Sequence, residues 1–91
     1  MVMKNVHNEI RQFIVDNFLF GQGEQLKDDE SFLEGGIIDS TGVLQLVGFL
    51  EQQYSIVIGN DELLPDNLDS VQLITRFVQR KLEATRAHVA G

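Results

Sequence analysis

The chain has 91 residues, a formal net charge of -7 and no cysteine. It has room for a single core, and it cannot supply a disulfide, a zinc-thiolate site or a cysteine nucleophile. Hydrophobic residues at 43% and charged residues at 23% are ordinary for a soluble globular protein, and the negative charge argues against nucleic acid or an anionic membrane surface as partner.

A domain of this size buries only about 60% of its unfolded surface, which favours a binding or carrier role over a deep enclosed active site. No apolar run approaches the roughly 18 residues of a membrane span. The N-terminal stretch mixes polar and apolar residues, unlike a signal peptide, so a cytoplasmic location is expected. The expected organisation is one domain over residues 1–91, with a core over about residues 5–83 and a short flexible C-terminal tail. A monomer is the default.

The first helix is expected from Val6, Ile10, Phe13, Ile14 and Phe18, which recur at helical spacing. Gly21 and Gly23 supply a stop. A long connection follows, from about Gly21 to Asp39, with Phe32, Leu33, Ile37 and Ile38 as apolar anchors. Connections of this length are uncommon in compact domains and are often functional. Within it, Gly35-Gly36 is no phosphate-binding loop, because no Gly-Lys-Ser/Thr follows; the pair provides a turn ahead of Ile37 and Ile38.

The second helix is expected over Ser40 to Tyr54, with Val43, Leu46, Val47, Leu50 and Tyr54 on one face and Asp39 or Ser40 as N-cap. Residues Ser55 to Gly59 have no second strand to pair with and read as an extended linker. Asn60 to Leu64 reads as one helical turn, capped by Asn60 and stopped by Pro65. The last helix starts at Asp69 or Ser70 and buries Val71, Ile74, Phe77, Val78 and Leu82, fraying after Glu83. Three long amphipathic helices and one short one make an all-α, four-helix bundle.

Charge is unevenly placed. Between Lys27 and Arg76 there is no Lys, Arg or His, while that stretch holds Asp28, Asp29, Glu30, Glu34, Asp39, Glu51, Asp61, Glu62, Asp66 and Asp69. The basic residues Lys4, Arg11, Lys27, Arg76, Arg80, Lys81 and Arg86 lie at or outside its ends. A plain solvated surface explains this, as does an acidic face that steers basic partners in a salt-dependent way. Asp61-Glu62 and Asp66-Asn-Leu-Asp69 lack the alternation and central glycine of a calcium loop, so no dedicated metal site is expected.

Two Asp-Ser pairs, Asp39-Ser40 and Asp69-Ser70, each precede a helix, and capping accounts for both. Context separates them. Ser40 ends the long connection and opens a helix whose first turn holds the small residues Thr41 and Gly42. An exposed helix start has free N–H groups suited to a phosphate ester. Gly42 costs about 1 kcal/mol of helix propensity relative to Ala, which implies either a close approach by another group or a packing constraint. A Ser-His hydrolase is disfavoured: His7 and His88 stand near opposite ends of the chain, and Ser40 is not in a Gly-x-Ser-x-Gly elbow.

The run Phe32-Leu-Glu-Gly-Gly-Ile-Ile-Asp-Ser-Thr-Gly-Val-Leu-Gln-Leu-Val47 resembles the signature of the acyl carrier protein family. The segments Leu50 to Ile58 and Asp61 to Val71 fit that family's end of helix two, short third helix and start of helix four, so the resemblance spans about residues 5–83. It implies that Ser40, with Asp39 as motif partner, accepts a 4'-phosphopantetheine arm from coenzyme A. The arm would bring the thiol that this cysteine-free chain lacks and carry cargo as a thioester, while the domain catalyses nothing itself. Implied partners are a phosphopantetheinyl transferase, an acyl- or amino-acid-activating ligase, and downstream transferases with basic docking surfaces. Ile38, Thr41, Leu44, Gly48, Asp61 and Glu62 are the expected docking residues.

The chain departs from fatty-acid carriers in having Thr41 where they have a large aliphatic residue, and few acids along helix two. In this it resembles stand-alone carriers of amino acids or specialised acyl groups. The competing expectation is a carrier-like interaction module that is never modified, with a regulatory or scaffolding role. The full Asp39-Ser40 pair speaks against it, since Asp or Asn alone would cap the helix.

Overall fold

The structure, a computed structural model, describes residues 5–21 and 26–90, with side chains as far as Ala84. Lys4, Gly23 and the side chains of Arg86 and His88 lie outside the described residues. The elements are α1 (Val6–Phe18), α2 (Ser40–Tyr54), a 3-10 turn (Asn60–Glu62), α3 (Pro65–Leu68) and α4 (Val71–Ala90). This is the expected all-α bundle of three long helices and one short one, and no strand forms among the described residues.

Asn5 caps α1, its side chain accepting from Asn8 N–H at 3.0 Å. Ile10, Ile14 and Val15 turn inward. The helix stops earlier than the glycines suggested, at Phe18, with Leu19 as C-cap. Phe20 and Gly21 both take the left-handed conformation, and Gly21 N–H returns to Val15 C=O at 2.9 Å. α4 packs along α1 and α3 and also touches α2. Its residues Val71, Ile74, Phe77 and Val78 are buried against Ile10, Ile14, Leu46 and Leu50 in one core.

Between α1 and α2 the gap is filled by rings. Phe13 stacks on Phe49 at 4.0 Å between centroids, and Phe18 and Tyr54 approach this pair edge-on. Offset and edge-to-face arrangements of this kind add to what burial alone supplies. The Tyr54 hydroxyl donates to Glu9 at 2.8 Å. Burial, and then the neighbouring Glu9 carboxylate, push its ionisation well above the ordinary tyrosine range, so it stays a donor at any physiological pH.

Two boundaries differ from expectation. Asn60 does not cap a turn that Pro65 ends. Glu62 reaches back to the Gly59 N–H at 2.9 Å to close the 3-10 turn, and Pro65 begins α3. Proline suits a first helical position because its missing N–H would have no partner there anyway. Nor does the last helix fray after Glu83: its backbone is helical through Ala90, consistent with the strong helix formers Ala84, Arg86, Ala87 and Ala90.

Gly42 is explained by packing. A Cβ there would meet the Phe18 ring at 2.8 Å and Ile38 Cγ2 at 2.9 Å, so α2 can lie against α1 and the connection only without a side chain. Gly48, further along α2, has nothing within 4 Å. Alanine substitutions should therefore have opposite signs. Gly48→Ala is expected to stabilise by about 1 kcal/mol through helix propensity. Gly42→Ala is expected to destabilise by about 1–3 kcal/mol, because overpacking outweighs the same gain. Chemical denaturation of the two variants checks this, and a stabilised Gly42→Ala would contradict it.

Candidate functional site

The start of α2 is organised by Asp39. Its side chain accepts from Gly42 N–H at 2.8 Å, and its carbonyl accepts from Val43 N–H at 3.0 Å. Asp39 is therefore the N-cap, and Ser40 is the first residue of the helix. Ser40 is exposed, and its hydroxyl makes no hydrogen bond among the described residues. The first-turn N–H groups and the positive end of the helix dipole favour an anion at this position.

Ser70 is placed differently. It is only 3% exposed, its Oγ accepts from Leu73 N–H at 3.1 Å, and its carbonyl accepts from Ile74 N–H. The two Asp-Ser pairs thus divide their work in opposite ways. In the first the aspartate caps and the serine is free; in the second the serine caps and the aspartate is free for other contacts.

Ser40 stands on the lip of an apolar cleft of about 400 Å³, a volume within the range of small-ligand sites. One wall is α2, through Val43, Leu44 and Leu46. A second is the segment from Leu63 to Leu68, and the third is formed by Phe32, Leu33 and Ile38 of the connection. Ser40 and Asp69 are the only polar residues in the lining. Gly36, with φ at 66°, supplies the turn that lets Ile37 and Ile38 pack.

Of the docking residues read from sequence, Thr41, Leu44 and Gly48 are exposed at helical spacing along α2, Leu44 at 67%. Ile38 is a correction: at 4% exposure it belongs to the core and the cleft wall, because the connection turns it inward beneath Gly42. Asp61 is exposed, but neither it nor Glu62 lines the cleft. The Glu62 carboxylate is engaged by the Gly59 N–H and by Lys81, whose Nζ donates at 2.9 and 3.1 Å.

Two further apolar residues at the cleft, Leu33 and Leu64, are exposed at its mouth. Leu64 escaped the sequence reading, and Leu33 was read as an apolar anchor of the connection although it is exposed, because neither falls on a helical stripe. Asp69 escaped it too, since its rank as one of two candidate caps hid any other use of its carboxylate.

An exposed hydroxyl at a capped helix start, beside an apolar cleft in a four-helix bundle, is an arrangement that suits a carrier-type domain. Comparison with known proteins agrees. No family model matches the sequence. The chain is 32% identical over 75 residues to a probable acyl carrier protein, PigG, of a Serratia species, covering 82% of this chain and 86% of that protein. It is 29% identical over 79 residues to the acyl carrier protein of Buchnera aphidicola from Acyrthosiphon pisum, covering 87% of this chain and 95% of that one. The chain belongs to the acyl carrier protein family. No helix among the described residues is long and apolar enough to cross a membrane.

The Glu62 carboxyl is held below the ordinary glutamate range, first by the Gly59 N–H and then by Lys81. Its stabilising contribution is therefore fully present above the ordinary value of about 4.3 and is lost as pH falls through its lower folded value. Replacing it by Glu62→Gln should remove that dependence. The stability difference between wild type and variant, measured by urea unfolding, is expected to shrink on acidification from about pH 6 towards about pH 3. A difference that holds constant across that range would show that Glu62 is not linked to folding in this way.

Proposed function

We propose that the chain carries a 4'-phosphopantetheine arm on Ser40 and holds an acyl or aminoacyl group on it as a thioester for presentation to partner enzymes. The observation that supports this most is the free Ser40 hydroxyl on the lip of the apolar cleft, at a helix start whose cap is supplied by Asp39. The residues present fit the arm. A phosphodiester on Ser40 would sit at the positive end of α2, and the cleft offers apolar cover close to the attachment point. When attached, the arm supplies the thiol that a chain without cysteine cannot.

In the transfer, Ser40 would give up its hydroxyl proton to the transferring enzyme as its oxygen forms the phosphodiester bond, while the pyrophosphate bond of coenzyme A breaks and adenosine 3',5'-bisphosphate leaves. Asp39 holds the first turn of α2 in place, and Val43, Leu44 and Leu46 give the cleft beside it an apolar wall. Coenzyme A is the source of the arm. The partners are a phosphopantetheinyl transferase, an activating ligase for the acyl or amino acid, and downstream transferases. The acidic stretch around Ser40 suits basic surfaces on them.

Incubation with coenzyme A, magnesium and a broad-specificity phosphopantetheinyl transferase, followed by intact mass, tests the attachment. Wild type and Ser70→Ala should each gain one arm, and Ser40→Ala none. Because Asp39 is the cap, Ser40→Ala should change stability by no more than a few tenths of a kcal/mol, whereas Ser70→Ala should cost about 1 kcal/mol. Loading of folded Ser40→Ala would overturn the Ser40 assignment by placing the attachment elsewhere, and no loading of the wild type beside a working control carrier would favour the unmodified interaction module. The transfer rate should fall with added salt if acidic steering guides the encounter; a flat rate would leave Leu44 and its apolar neighbours as the docking contact.

A further inference from the structure

The three walls of the cleft are not equally secured. α2 is a capped helix of fifteen residues. The Leu63–Leu68 segment is tied down by Asn67, which donates to Glu62 C=O and accepts from Arg80. The third wall, Phe32 and Leu33, belongs to the connection between α1 and α2, which has no helix of its own among its described residues.

In that wall Phe32 is buried in the core, and the hydrogen bonds to the α3–α4 corner converge on one residue. Asp69 receives donors from three consecutive positions: the Ser31 hydroxyl on Oδ2, Phe32 N–H on the backbone carbonyl at 2.8 Å, and Leu33 N–H on Oδ1 at 2.9 Å. Ser31 Oγ in turn accepts from Glu34 N–H at 3.1 Å. Asp69 also ends α3, through its own N–H to Pro65 C=O. One residue, through its side chain and its backbone, thus joins the second wall of the cleft to the third. Its carboxylate is not spent on capping α4, because Ser70 does that.

We propose that Asp69, with Ser31, is a positioning residue that sets how long a cargo the cleft beside Ser40 admits, an inference that rests on the carrier reading above. With the clamp closed, Phe32 and Leu33 stand against the cleft and bound it on the side of the connection. With the clamp released, Phe32 keeps its place in the core and its bond to the Asp69 carbonyl, while the Ser31 hydroxyl and Leu33 N–H lose their partner, so the exposed Leu33 side of the turn can tilt outward and lengthen the cleft.

The test uses the unmodified chain, so failure of arm attachment leaves it informative. Neutral straight-chain alcohols of increasing length are titrated into wild type, Asp69→Ala, Asp69→Asn and Ser31→Ala. Binding is followed through the amide signals of Leu46 and Leu68, and amide hydrogen exchange is measured in parallel. In wild type, affinity should rise with chain length and then stop. In Asp69→Ala the stop should move to longer alcohols, and Leu33 N–H should exchange about tenfold faster, with α2 amides unchanged. Asp69→Asn retains one acceptor and should fall between the two. Ser31→Ala removes one donor without touching the helix corner, and it decides the matter should Asp69→Ala fail to fold. An unchanged length limit, a uniform loss of affinity at all lengths, or no binding by wild type would overturn the proposal.

Discussion

The connection between α1 and α2 carries backbone donors and acceptors whose partners lie on other segments of the chain, and a buried polar group without a partner is costly. The rest of the molecule is arranged around meeting that demand. Asp69 takes the donors of Ser31, Phe32 and Leu33 at the α3–α4 corner. Near the other end of the connection, Arg11 of α1 donates to Leu26 C=O and pairs with the Asp28 carboxylate, and Gln72 N–H of α4 donates to Asp28 C=O. An irregular segment is thereby stapled to two helices, and Phe32 and Ile38 can be delivered to the core from it.

Once the connection is held, the site follows from it. Ile38 is set beneath Gly42, and Asp39 arrives in the extended conformation needed to cap α2. Ser40 is then the first residue that a capped helix presents to solvent, next to a cleft whose outer wall is that same connection. The free hydroxyl, the apolar cleft and the clamp are consequences of one path of the chain. They belong to a single local structure.

Charge plays a smaller part in the fold than the composition suggests. Of the acids between Lys27 and Arg76, Asp28, Glu30, Asp39, Glu51, Glu62 and Asp69 each accept at least one hydrogen bond from the chain. Asp61 and Asp66 are exposed, as are Glu34 in the connection and Asp29. The outer face of α2 itself is uncharged at Thr41, Leu44, Gln45 and Gly48. Any partner reading the Ser40 region therefore meets a neutral, partly apolar helix bordered by acids.

The helices were legible because their apolar residues recur at helical spacing, a property that survives in one dimension: Ile10 and Ile14, Leu46 and Leu50, and Ile74 and Val78 all read as inward and are inward. Ser40 stood out for the same local reason, as part of a contiguous motif. The role of Pro65 was misread because a proline that ends one helical turn and one that begins the next look alike without the backbone path. Ile38 was misplaced because burial in a connection has no period. What the sequence by itself determined was the three long helices, the absence of a native thiol and the serine to watch. What only the tertiary structure decided was which aspartate caps, why Gly42 has no side chain, and how Asp69 joins residues more than thirty positions away. These depend on contacts between segments distant in the chain, and no local pattern encodes them.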